Sequence, residues 1–146
     1  MLVEEARSWL GTKYVHGARV KGAGCDCATL LAECLIAAGV CDREAIGIYS
    51  ADWWMHAGSE RYMIGLLRNA GRMTEAVAYR STDAQPGDLV LTKAAGSKLY
   101  NHGGIVTKWP MIIHAIHPKV EEADASKHHM WAYRELAIFS PKMALL

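Results

Sequence analysis

Residues 21–39, KGAGCDCATLLAECLIAAG, decide the fold of this chain. A glycine-rich turn delivers Asp26 and Cys27 to the start of an apolar run. That run predicts a helix over about Cys27–Ala38, closed by Gly39. Apart from its cysteines, only Thr29 and Glu33 interrupt the apolar surface, so the helix is expected to be buried on most sides. A cysteine at such a start faces free backbone N–H groups and the positive end of the helix dipole. This setting is expected to lower the thiol pKa and to make Cys27 a nucleophile. The commonest fate of a free cysteine is to pack as a small hydrophobe. Cys34, seven residues further along, is expected to do that.

Working outward, the 146 residues are the size of one domain with a real core, 51% hydrophobic and 21% charged. No linker, repeat or low-complexity run divides residues 1–146, and a single domain is expected. Sixteen Lys plus Arg balance fifteen Asp plus Glu, so net charge points to no nucleic-acid partner. The opening MLVEEARSWLG carries glutamates where a signal peptide would be basic, and no apolar stretch is long enough to span a bilayer. Synthesis in the cytoplasm and no membrane insertion are therefore expected.

The four cysteines at 25, 27, 34 and 41 crowd into one segment. A disulfide framework is not expected in a cytoplasmic chain. Cys-x-Cys lacks the second tight ligand pair of a structural zinc site, so no metal and no cofactor are expected.

Helical spacing of Leu2, Val3, Ala6, Trp9 and Leu10 predicts a first helix, ended by Gly11. Residues 51–69 read as one or two short helices. Short β-prone runs follow at Thr74–Tyr79, Asp88–Thr92, Gly104–Lys108, Met111–Ile116 and Trp131–Phe139. Residues 120–125 read as a mildly acidic stretch. Helices first and strands after predict an α+β domain, helices packed on an antiparallel sheet.

A cysteine hydrolase needs a base, a group that orients the base, and oxyanion donors. A hairpin turning at Trp109-Pro110 would bring His114 beside His102, within a residue or two of register. These two imidazoles are the candidate base and orienter. Asp26 is a candidate N-cap of the second helix. Trp53 and Trp54 are either a core-and-surface pair or a wall of a cleft. Cys25 either packs or traps an oxidised Cys27. His16, His117, His128 and His129 read as surface or loop residues.

Together these residues resemble the NlpC-type cell-wall peptidases, papain-like cysteine endopeptidases. The resemblance runs over most of the chain. Its motifs are Gly11-Thr12-Lys13-Tyr14-Val15-His16-Gly17, Asp26-Cys27-Ala28-Thr29-Leu30, Pro86-Gly87-Asp88-Leu89, His102-Gly103-Gly104-Ile105-Val106 and Ile113-His114-Ala115. Each is weak alone; their order and spacing carry the resemblance. It implies a papain-like NlpC fold with N-terminal helices on a central antiparallel sheet.

The resemblance also implies roles. Cys27 would be the nucleophile, His102 the base and His114 its orienter. Tyr14 would assist at the oxyanion, and Asp26 would hold the amino end of a peptidoglycan stem peptide. The bond implied is the γ-D-glutamyl to diaminopimelate link. Thr29 departs from the family's glycine, and this reading expects it to narrow the cleft. The whole also looks like a phage-associated branch, carried on a tail or gene-transfer particle. Two other readings stay open: an acyl or amide transferase using the same triad, and a virion tail-assembly module with a vestigial site.

Overall fold

The computed structural model describes residues 2–40, 73–79, 84–93 and 100–141, with backbone only at 73–79. The chain runs α1 (Leu2–Ser8), β1 (Arg19–Val20), β2 (Gly24–Cys25), α2 (Cys27–Ala37), β3 (Met73–Tyr79), β4 (Leu89–Thr92), β5 (His102–Lys108), β6 (Met111–Ile116), β7 (Lys119–Asp124) and β8 (Glu135–Pro141). Six strands form one antiparallel sheet in the order β3-β8-β4-β5-β6-β7, and β1 and β2 form a separate small ribbon. The α+β expectation holds.

Helix α2 ends as its glycine requires. Gly39 has φ +75°, Val40 N–H donates to Leu35 O and Gly39 N–H to Ile36 O, both at 3.0 Å. This pair of bonds is the Schellman arrangement, which a Cβ at Gly39 would strain. Helix α1 is shorter than its apolar pattern. Its chain leaves through a turn, and Gly11 N–H donates to Val120 O across to β7 instead of closing the helix.

Side chains alternate across the sheet and bury both of its faces. On the first face Leu89, Leu91, Ile105, Ile113, Ala115 and Phe139 pack with Leu30, Leu31 and Leu35 of α2. On the second face Val90, Val106, Ile112, Leu136 and Ile138 pack with Ala125 and Trp131. The second layer is supplied by the segment between β7 and β8. Trp131, expected in a strand, lies in turns at 127–133, and its strand begins only at Glu135. The acidic stretch at 120–125 is largely strand β7: its charged residues sit on a partly exposed edge strand and Val120 points into the core.

Candidate functional site

The site begins at the start of α2. Asp26 is its N-cap, and Asp26 with Thr29 forms a capping box. Asp26 Oδ1 accepts from Thr29 N–H at 2.9 Å, and Thr29 Oγ1 accepts from Asp26 N–H at 2.8 Å. The departure at Thr29 thus has a structural reason. Its buried hydroxyl turns back to the cap, satisfying a backbone donor that a glycine would leave open, and it does not project into a cleft. Asp26 Oδ2 accepts from Gly17 N–H at 2.8 Å and lies 3.8 Å from His16 Nδ1. One buried carboxylate therefore ties the preceding loop to the helix.

Cys27 is half-buried, with its sulfur 4.0 Å from the carbonyl oxygen of Asn101. The N–H groups of Gly103, Ala28 and Cys27 itself favour its thiolate. Burial, and then the Asp26 carboxylate, outweigh them and push the thiol up to about 12. The helix start alone led to the expectation of a lowered pKa; the structure gives a neutral thiol. Cys25 and Cys34 are buried in the first core, so both pack as small hydrophobes. Tyr14 packs against the same core as Cys27, and burial followed by the Cys27 charge pushes its phenol up to about 12. It remains a hydrogen-bond donor at neutral pH.

The β5–β6 hairpin brings the two histidines together. The register pairs Ile105 with Ile113, and His102 Nε2 lies 2.8 Å from His114 Nδ1. Both rings are buried, at 4% and 0% exposure. Burial holds His102 down to about 3 and depresses His114 too, against the Glu121 hydrogen bond that raises it. Both imidazoles are neutral at pH 7.

Trp131 decides where their protons sit. Its indole Nε1 lies 3.1 Å from His114 Nδ1 and can only donate. His114 Nδ1 is therefore an acceptor, and the proton of this ring is on Nε2, 3.2 Å from Glu121 Oε2. His102 Nε2 must then donate to His114 Nδ1. That leaves the lone pair of His102 on Nδ1, the atom available as a base.

Cys27 and the imidazoles are adjacent in the backbone but separated in their side chains. A Cβ on Gly104 would meet His114 Cβ at 3.4 Å and the Trp131 ring at 3.2 Å. Gly104 thus faces the second side of the sheet, and His102, two residues away, shares that side and packs 5.3 Å from the Trp131 ring. Helix α2 lies on the first side with Ile105. The sulfur sits at the end of β5, on the backbone of Asn101 and Gly103 that flanks His102. Among the described contacts, none joins it to either ring. Trp53 and Trp54 lie outside the described residues.

Three residues near the histidines escaped the sequence reading: Trp131, Glu121 and His128. Glu121 stands opposite His114 in the β6–β7 register, and KVEEAD, with only Val120 fully buried, offered no alternation that would have revealed it. His128 packs edge-on against His114, ring centroids 4.8 Å apart, and nothing local in the sequence announced it. An open cavity of about 520 Å³ lies on this second face, beside Trp109, Trp131 and Tyr133.

Sixteen solved chains match this architecture. The NlpC/p60 domain of the peptidoglycan hydrolase SagA matches with TM-score 0.58 at 21% identity, over 94% of each chain. The fold is that of the NlpC/p60 domains. NlpC2 of Trichomonas vaginalis matches with TM-score 0.66 at 14% identity, over 99% of this chain and 46% of its own. A Staphylococcus aureus protein similar to a lipoprotein of the NLP/P60 family matches with TM-score 0.57 at 20% identity, over 91% of this chain and 39% of its own. This chain therefore spans less than half of those two proteins. At sequence level no family profile and no curated protein matches. The NlpC/p60 fold accounts for the architecture, an apolar helix laid on an antiparallel sheet.

Proposed function

We propose that this protein is a cysteine peptidase that hydrolyses peptidoglycan stem peptides, at the γ-D-glutamyl to diaminopimelate bond. The observation that carries this reading is the seat of Cys27. Its sulfur rests at a capped helix start, on the two backbone groups that flank a neutral His102 with its Nδ1 lone pair free. The NlpC/p60 fold, shared with a peptidoglycan hydrolase domain, supports it.

In this mechanism Cys27 attacks the amide carbonyl. His102 Nδ1 takes the thiol proton as the C–S bond forms, since the resting thiol and imidazole are both neutral. In the resting structure His114 holds the His102 ring on the second side of the sheet, so the attack requires this ring to leave that bond and turn toward the sulfur while its backbone stays paired with Thr92 of β4. Catalytic hydrogen bonds commonly tighten only with substrate bound. His114, held by Trp131 and Glu121, fixes the His102 tautomer in the resting arrangement, before that turn. The Gly103 and Cys27 N–H groups and the Tyr14 hydroxyl receive the oxyanion. Proton return from His102 to the amine releases one product, and water then hydrolyses the thioester. Asp26 receives the substrate amine beside its capping bonds. A phage tail or gene-transfer particle is the proposed vehicle and partner, placing the enzyme at the cell wall.

Purified stem peptide incubated with wild type, Cys27→Ala and His102→Ala tests the reading. Cleavage by wild type and its loss in both variants is expected; equal cleavage by all three overturns it. The separation of the sulfur from both rings favours a second reading, a tail-assembly module with a vestigial site. Absence of cleavage together with stable incorporation into tail particles would establish it. An amide transferase would instead yield product with an added amine acceptor in excess of hydrolysis.

A further inference from the structure

Behind the histidine pair, one ligand atom each from His114, Glu121 and His128 lie within 4.8 Å of one another. Glu121 Oε2 is 3.2 Å from His114 Nε2 and 3.7 Å from His128 Nε2. Zinc bonds of ~2.0–2.1 Å in a tetrahedron place ligand atoms roughly 3.3 Å apart. Two imidazoles and a carboxylate suit a borderline transition metal such as Zn²⁺ and suit Mg²⁺ or Ca²⁺ poorly. Access comes from one side. The His114 side chain is fully buried, while those of His128 and Glu121 are 16% and 37% exposed. His128 sits in a turn, where its ring can close the remaining gap.

We propose that His114, Glu121 and His128 form an inhibitory binding site for Zn²⁺ or a similar transition-metal ion. The inhibition rests on the peptidase reading above; the binding does not. A metal on His114 Nε2 needs the lone pair of that atom, so its proton leaves to solvent. The neutral ring must then carry its proton on Nδ1, taken from His102 Nε2 along their 2.8 Å bond. His102 regains a proton from solvent on Nδ1. Two rings remain neutral, but His102 Nδ1, the base atom of the proposed peptidase, has become an N–H donor. The Trp131 indole loses its acceptor at the same time, because Nδ1 of His114 no longer has a free lone pair.

The test uses the full-length chain and Zn²⁺ alone, in competition with a chromophoric chelator. One equivalent is expected to bind to wild type and to Cys27→Ala, with a change in tryptophan fluorescence in both. His128→Gln and Glu121→Gln are each expected to weaken binding at least tenfold and to abolish the fluorescence change. Binding that is lost in Cys27→Ala, or unchanged in His128→Gln, overturns the site. In the activity arm, Zn²⁺ is expected to inhibit stem-peptide cleavage by wild type. His128→Gln is expected to keep its basal rate and resist Zn²⁺ at least tenfold better. Normal binding without cleavage by any form leaves the metal site standing and removes the peptidase; cleavage equally sensitive in His128→Gln removes the inhibition.

Discussion

His102 Nε2 donates to His114 Nδ1 across 2.8 Å, and the direction of that bond is imposed by Trp131, whose indole N–H meets the same His114 nitrogen. Trp131→Phe keeps most of the ring volume and removes the donor. The His114 proton is then free to move between its two nitrogens. Imidazole ¹⁵N shifts are expected to show His114 as a single Nε2–H tautomer in wild type and as a mixture in the variant. Loss of one hydrogen bond worth about 1 kcal/mol corresponds to roughly a fivefold fall in cleavage rate. An unchanged tautomer would refute the orienting role.

The Cys27 thiol, pushed up to about 12 by burial and by Asp26, predicts slow alkylation. Iodoacetamide reactivity at Cys27 is expected to rise steadily with pH and to show no plateau below pH 9. The same shift has a stability consequence. The folded state holds this proton more tightly than the unfolded chain, so the contribution is complete below the unfolded thiol range, about 8.5–9. It is lost as pH climbs toward 12. Urea midpoints should fall over that window less steeply in Cys27→Ala. A reactivity plateau near pH 7 would show a thiolate and contradict the neutral resting thiol.

Thr29→Val keeps the shape of the side chain and deletes the hydroxyl that accepts Asp26 N–H at 2.8 Å. That donor becomes buried without this partner, at a cost of about 1–3 kcal/mol. Thermal or urea unfolding should register the loss, while Thr29→Ser should retain most of the stability. A neutral Thr29→Val would mean that the capping box contributes nothing.

Gly104→Ala places a methyl 3.0 Å from Ile113 O and 3.2 Å from the Trp131 ring. The backbone oxygen cannot yield, so Trp131 or the strand must shift. Overpacking of this kind costs about 1–3 kcal/mol. The variant should unfold at lower urea and lose part of the His114 tautomer order, measured by the same ¹⁵N shifts. Full stability with unchanged shifts would show that the contact is slack.

Much of the architecture was legible locally. The Met111–Ile116 strand was predicted to the residue, and α2 to within one. Both follow from strong periodicity bounded by Trp109-Pro110 and by Gly39. Strand β7 was missed because a charged edge strand has only Val120 to bury, which reads as polar composition and not as alternation. Strand β8 was begun four residues early because Trp131 looks β-prone, whereas its task is to cover the second face of the sheet.

The sequence by itself determined that Asp26 and Cys27 open a buried helix, and that His102 and His114 share a hairpin. Spacing along one chain segment dictates both. Only the tertiary structure decided on which side of the sheet each group lies, because a pleat of two residues turns facing into a question of register and of what packs above. It also decided protonation. The thiol is neutral because the fold buries it beside a carboxylate, and the His102 base atom is Nδ1 because Trp131, twenty-nine residues away in the chain, has only a proton to give.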